Sequence, residues 1–393
     1  MAFALTECRI FTGECILDDH AVIIKDGRIN KLLPSSDLDS SDFNNSPGTD
    51  SSLRVYRLNG ELLAPGYIDT QVNGGADVLF NDAPSVDSIR AIGAAHRRFG
   101  TTAFLPTLIS DSREKMEAAL AAANQAMTEQ VPGCLGVHLE GPFLNLQRKG
   151  VHPEAMIRRP EADAQQLLTS LKRGKTLVTL APEQIPDGFI HNLVESGVIV
   201  AAGHTAATYD QVRHALSEGL TGFTHLFNAM PPLNSREPGA VGAALEDNKS
   251  WCGLIVDNHH VHPATLKIAI NAKPRGGMML VTDAVQTVGS ENNDFELLGQ
   301  KIVRQDGRVS TAEGTLAGSD LDMASAVRNC VQILDLTLEE SLRMASLYPA
   351  RFLGLASDYG RIGQGFKASM VLLDKDLRVR ETWIDGVSSK EVT

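Results

Sequence analysis

The sequence predicts an α/β chain, a (β/α)8 or TIM barrel with a small β-sandwich domain formed from both termini, and three observations predict it. Eight short apolar runs lie between Gly66 and Asp283, and such runs read as parallel strands buried on both faces. Segments with helical spacing separate most of them, as in Ser112 to Gln130 and Pro263 to Ala272. Strands alternating with helices over about 280 residues fit a barrel. Finally, both ends of the chain share one hairpin texture, which assigns residues 1–62 and 355–393 to the small domain and 63–354 to the barrel. A doubly wound open sheet is the alternative, but no G-x-G-x-x-G follows the first strand.

At the amino end, Cys8 to Phe11 and Ala21 to Ile24 are strand-like, the Lys25-Asp26-Gly27-Arg28 turn follows, and Ile29 to Leu33 completes the hairpin. Asp-Gly between apolar runs is a strong hairpin signal. Ser35 to Ser52 is rich in Ser, Asp and Asn and reads as a mobile surface loop. The eight barrel runs are then Gly66 to Asp69, Thr102 to Leu105, Leu135 to Glu140, Leu177 to Leu180, Val198 to His204, Gly222 to His225, Gly253 to Asp257 and Met278 to Asp283. Between the fifth and sixth, Val212, Ala215, Leu216 and Leu220 have helical spacing. A further hairpin, Lys301 to Ser310 around Asp306-Gly307, precedes a glycine-rich stretch, Gly314 to Ser319, and a helix from Asp320. That stretch either lines a pocket or is a plain connection. Ala368 to Leu373, Arg378 to Ile384 and the Asp385-Gly386 turn return the chain to β structure.

Hydrophobic content of 43% and charged content of 21% describe an ordinary globular protein. A net charge of −12 argues against affinity for nucleic acid or anionic membrane. Five scattered cysteines without C-x-x-C spacing indicate neither a disulfide framework nor a cysteine zinc site, and reduced thiols fit a cytoplasmic location. No signal peptide and no long apolar run is legible, so neither export nor membrane spanning is expected.

In a barrel the reactive groups sit at the carboxyl ends of the strands. Those ends supply Asp69, Gln71 and Asn73 after the first, Glu140 after the third, His204 after the fifth and His225 after the sixth. The seventh gives Asp257 with His259 and His260, and the eighth gives Asp283. One glutamate and two histidines are ligands zinc accepts, leaving a position open for water. The alternative is unrelated polar residues near strand ends. Asp283 reads either as a turn or cap aspartate or as an acid that accepts a proton from metal-bound water, and its place on the last strand favours the second. His138, two residues before Glu140, points to the same face of its strand and reads as a structural histidine or a partner of the ligands. His152 lies on a loop that can fold over the mouth. The Phe227 to Gly239 segment brings Asn228, free backbone N–H groups and Arg236, which suit either an anionic substrate group or a surface ion pair.

Six stretches together, Ala64 to Asp69, His138 to Phe143, Ala202 to Thr205, Thr224 to Met230, Val281 to Ala284 and Leu347 to Ala350, resemble the N-acetylglucosamine-6-phosphate deacetylases of the amidohydrolase superfamily. The resemblance spans almost the whole chain. It implies a metal-dependent hydrolase barrel that removes the N-acetyl group of N-acetylglucosamine 6-phosphate to give glucosamine 6-phosphate and acetate. It implies one divalent metal per subunit held by Glu140, His204 and His225, with Zn2+ preferred over Fe2+, Mn2+ or Co2+. Asp283 would be general base and acid, and His152 would polarise the carbonyl. Asn228, Ala229 and Arg236 would bind the sugar phosphate, with Leu316 and Ala317 bordering the sugar or acetyl group. A homodimer is implied, His260 reaching the phosphate in a neighbouring subunit's site. Most of the superfamily has H-x-H on the first strand, binding a second metal. Gln71-Val72-Asn73 stands there instead, and an amide is a poor zinc ligand, so one occupied position is expected. The fourth apolar run, Leu177 to Leu180, also lacks the lysine that two-metal relatives carbamylate. The galactosamine epimer is an alternative substrate, and a catalytically inert barrel serving as scaffold is the alternative from another class.

Overall fold

The structure is a computed structural model that describes residues 2–38, 53–297 and 299–391. Most of the loop expected from Ser35 to Ser52, residues 39–52, lies outside the described residues; its first three residues form a short turn of 3-10 helix, Ser35–Asp37.

Eight parallel strands form the barrel in sequence order: Tyr67–Val72, Thr101–Ile109, Gly136–Glu140, Lys175–Leu180, Ile199–Ala202, Gly222–Phe223, Trp251–Leu254 and Met278–Leu280. Almost every residue of these strands is buried, because side chains alternate between the barrel interior and the surrounding helices. The ends of the sheet approach each other where Val72 bridges Ala284 in parallel and the Asp283 N–H donates to the Gln71 carbonyl at 3.0 Å. The first and eighth strand ends, which carry Gln71, Asn73 and Asp283, are thereby neighbours.

The helices start where the sequence places caps. Ser112 accepts from the Lys115 N–H ahead of Arg113–Thr128. Thr208 and Gln211 form a reciprocal capping box ahead of Tyr209–Ser217, so Ile199–Ala202, this helix and Gly222–Phe223 make the strand, helix and strand the spacing predicts. The helix expected from Asp320 begins at Met323, with Asp322 as its cap, because the preceding residues are drawn back toward the mouth by Ser319.

The two termini share one eight-stranded sheet, which takes in Ala2–Phe11, Ile16–Lys25, Arg28–Pro34, Arg54–Arg57, Leu62–Pro65, Met370–Leu373, Val379–Ile384 and Val387–Ser388. The sheet curls until Arg28 bridges Lys367, enclosing a core of Leu5, Ile10, Val22, Ile24, Met370, Leu372 and Trp383. Its other face, through Phe11, Leu62, Ala64, Val371 and Leu373, joins the barrel core. A third sheet, Asp294–Leu297, Gln300–Gln305 and Arg308–Thr311, extends the expected hairpin by one strand. Leu297, Ile302 and Val309 on it pack against Leu79, Ile109, Val285 and Ala317 at the barrel mouth.

Candidate active site

Glu140 closes the third barrel strand, and His204 and His225 follow the fifth and sixth. Oε1 of Glu140 lies 3.1 Å from His204 Nε2 and 3.0 Å from His225 Nε2, and the two ring nitrogens are 3.1 Å apart. All three side chains are buried. His204, His225 and Asp283 adopt φ values of +48°, +32° and +53°, a region that costs non-glycine residues on the order of 1–3 kcal/mol and persists only where the surroundings enforce it. The chain therefore turns sharply as each strand ends, and these side chains converge instead of continuing the strand direction.

The protonation pattern follows from the neighbours. His204 Nδ1 is 2.8 Å from the Arg148 carbonyl oxygen; a carbonyl only accepts, so Nδ1 carries the hydrogen and the neutral ring presents its Nε2 lone pair to Glu140 and His225. Three electron-rich atoms then meet at hydrogen-bond distance. Only a proton or a cation among them makes that favourable. A triangle with edges of 3.0, 3.1 and 3.1 Å has a circumradius of about 1.8 Å, so a point about 2.1 Å from all three exists, the bond length zinc takes to such ligands. The donor set fits a divalent metal with further positions open. Burial raises the Glu140 carboxyl, but the hydrogen bonds with His204 and His225 outweigh it and hold the group well below its ordinary value.

Asp283 stands beside this set. Its Oδ1 accepts from Asn73 Nδ2 at 2.7 Å and Gln71 Nε2 at 3.0 Å, and the same Gln71 amide donates to Glu140 Oε2 at 3.0 Å. The first-strand amides thus face the carboxylates with N–H groups and tie them together. Burial, followed by the Glu140 charge, pushes Asp283 up to about 6; a bound cation acts in the opposite sense.

His152 is buried in the loop after Glu140. Its Nδ1 lies 3.2 Å from the Ser110 N–H and 2.8 Å from the Ser110 hydroxyl. A backbone N–H only donates, so Nδ1 accepts and the neutral ring keeps its proton on Nε2. Burial, then the nearby His204, holds the ring well below the usual histidine range. Ligand atoms of Glu140, His152 and His204 also fall within 4.8 Å of one another, which makes a rival metal set. The Glu140, His204 and His225 atoms lie within 3.1 Å of one another, and the Nε2 proton of His152 makes that atom a donor in the metal-free site.

A cavity of about 340 Å³ opens over these groups. Glu140, His152, His204, His225 and Asp283 line it, as do Asn73, Asn228, Ala229, His260, Leu316 and Ala317. Gln71 lies beneath, reached through its two carboxylate partners. His138 is buried below the mouth, where Nε2 meets Thr179 Oγ1 at 2.7 Å and Nδ1 meets Thr107 Oγ1 at 3.3 Å, and burial keeps it down at about 4. His260 and Arg236 stand as follows within the single chain. His260, with Nδ1 held 2.6 Å from Asp257 Oδ2, lines the cavity of its own chain, whereas the resemblance has it serving a neighbouring subunit; His259 beside it is exposed. Arg236 is exposed on the connecting loop and does not line the cavity, because that segment runs outward from Pro232 to Glu237.

Ser110 escaped the sequence reading, which ended the second strand at Leu105. The strand instead runs Thr101–Ile109, with Pro106 opposite Val72. Ser110 is then the first polar residue after a strand end, which is the signal that finds it.

The chain matches the model of the Amidohydrolase family over residues 62–389 and that of the NagA composite domain over residues 2–41. It is 44% identical over 331 residues to an N-acetylgalactosamine-6-phosphate deacetylase of Shewanella sp. (strain ANA-3), covering 84% of each chain. Among solved structures, N-acetylglucosamine-6-phosphate deacetylase from Pasteurella multocida is similar at TM-score 0.92 and 32% identity, covering 99% of this chain and 100% of that one. A mutant N-acetyl-D-glucosamine-6-phosphate deacetylase from Mycobacterium smegmatis, in complex with N-acetyl-D-glucosamine-6-phosphate, is similar at TM-score 0.87 and 30% identity, covering 98% and 99%.

Proposed function

We propose, for a chain that belongs to the amidohydrolase family, that it hydrolyses the acetamide of N-acetylglucosamine 6-phosphate to glucosamine 6-phosphate and acetate. The observation that carries this reading is the convergence of Glu140 Oε1, His204 Nε2 and His225 Nε2 beside Asp283 in one cavity. Those three residues hold a single divalent metal, zinc by the chemistry of two imidazoles and a carboxylate. When bound, the metal supplies Lewis acidity that lowers the pKa of water and polarises the carbonyl.

The rest falls to the chain's own groups. Asp283 takes the proton of the attacking water and returns it to the departing amine; its Oδ1 is occupied by two amides, while Oδ2 has no partner among the described residues. His152 donates from Nε2 to the carbonyl oxygen as negative charge develops there. Asn228, Ala229 and His260 receive the sugar phosphate, and Leu316 with Ala317 borders the acetyl or sugar. Arg236 was expected to join them, and its exposed position supports no contact from within the same chain. We take the enzyme to be a cytoplasmic homodimer, an assembly that light scattering of the purified protein tests. The free state of all five cysteines supports the reducing compartment.

The galactosamine epimer is a second reading, favoured by the 44% identical Shewanella relative. Acetate release measured on both epimers decides. Faster turnover of the gluco sugar, abolished by a chelator and restored by zinc, is the expected outcome. A preference for the galacto sugar would transfer the assignment to the second reading, and no acetate from either would overturn both.

A further inference from the structure

Glu183 follows the fourth barrel strand, in a short 3-10 turn, Pro182–Gln184, and reaches sideways to two other strand ends. Its Oε1 accepts from the Ala206 N–H at 2.6 Å and from Asn145 Nδ2 at 2.9 Å, and its Oε2 accepts from the Thr205 hydroxyl at 2.5 Å. Thr205 and Ala206 directly follow His204. Asn145 belongs to the loop after Glu140, and its backbone N–H donates to the His204 carbonyl at 2.9 Å. The same loop offers the Arg148 carbonyl that fixes the His204 tautomer.

The contacts close a ring from Glu183 through Asn145 to His204 and back through Thr205 and Ala206. His204 sits inside it at φ +48°, a backbone state that does not persist without enforcement. Hydrogen bonds to an ionised carboxylate are roughly twice as strong as neutral ones, and Glu183 collects three around this one residue, from the Ala206 N–H, the Thr205 hydroxyl and the Asn145 side-chain amide. We propose that Glu183 is a positioning residue for the metal site: its carboxylate fastens the loop after the third strand to the loop after the fifth and so aims the His204 ring at the point shared with Glu140 and His225. This rests on the reading that those three residues hold the metal. Glu183 touches neither the metal position nor the substrate cavity, and it acts through His204.

The experiment measures zinc affinity by chelator competition on folded protein stripped of metal, together with turnover, for Glu183→Ala, Glu183→Gln and Thr205→Val. Glu183→Ala is expected to weaken zinc binding about 10–100-fold, the usual effect of removing a group that orients a ligand. Glu183→Gln keeps an oxygen for Ala206 and Asn145 and offers its amide hydrogens to the Thr205 oxygen, so it restores most of the affinity. Thr205→Val, which cuts one arm and keeps the fold if Glu183→Ala does not, weakens binding by a smaller factor. Thr208→Ala loses only a nearby helix cap and keeps wild-type affinity. Wild-type affinity in Glu183→Ala or Thr205→Val, or a glutamine variant as weak as the alanine one, would overturn the proposal. Failure of the underlying metal reading shows separately, as wild-type protein that binds no zinc or as His225→Ala protein that binds it normally.

Discussion

Two amide donors, from Gln71 and Asn73, share one oxygen of Asp283 and leave the other without a partner among the described residues. An asparagine there keeps the shape and loses the basic oxygen. Asp283→Asn is therefore expected to lower kcat by about 10³-fold or more, in the range of general-base removal, while retaining metal; near-normal turnover would reject the role. At this scale legibility followed geometry. Glu140, His204, His225 and Asp283 were visible because each ends a strand, and strand ends meet in a barrel. Ser110 was hidden because the strand runs on past Leu105 to Ile109, and the direction of Arg236 was hidden because a loop's path depends on packing that its own residues do not encode.

Among elements, the joint between the barrel and the terminal sheet turns on Arg97, the last residue of the helix Val86–Arg97. Its Nε donates to Thr382 Oγ1 at 3.1 Å, and its Nη2 donates to the carbonyls of Val387 at 2.7 Å and Thr382 at 3.4 Å. Arg97→Ala strands those acceptors and should cost about 2 kcal/mol in urea unfolding, the scale of a charged hydrogen bond. Arg97→Lys should recover only part, since an ammonium lacks the planar fork; a loss below about 0.5 kcal/mol in the alanine variant, the size of an inert surface change, would contradict this. All eight barrel strands were recognisable as apolar runs. The three-stranded sheet at the mouth was read as a hairpin because Asp294–Leu297 is only four residues long, and Leu297 is buried only in the cluster it forms with residues far away in sequence, such as Leu79 and Ile109.

For the molecule as a whole, buried neutral histidines lower stability in acid, against Asp69 and Asp283, whose carboxyls burial pushes up to about 7 and about 6 and which gain protons on folding. His138 is held down at about 4 by burial, and His96 is lowered by the same cause. A histidine whose folded pKa lies below its unfolded value binds fewer protons when folded, so its penalty is absent above about pH 6.5 and grows as pH falls toward 4. His138 alone should remove about 3 kcal/mol over that window in the metal-free protein, and His138→Asn should flatten the pH dependence of the urea midpoint; an unchanged slope would argue against a buried neutral ring. The metal adds stability on top of this, since it binds the folded chain and not the unfolded one. Metal content of purified His225→Ala and His152→Ala proteins separates the two candidate ligand sets. About one metal per chain is expected in wild type and in His152→Ala, where the lost group is a hydrogen-bond donor, and almost none in His225→Ala, which lacks one of the three proposed ligands. A full equivalent in His225→Ala with none in His152→Ala would contradict this and move the cation to the rival set of Glu140, His152 and His204.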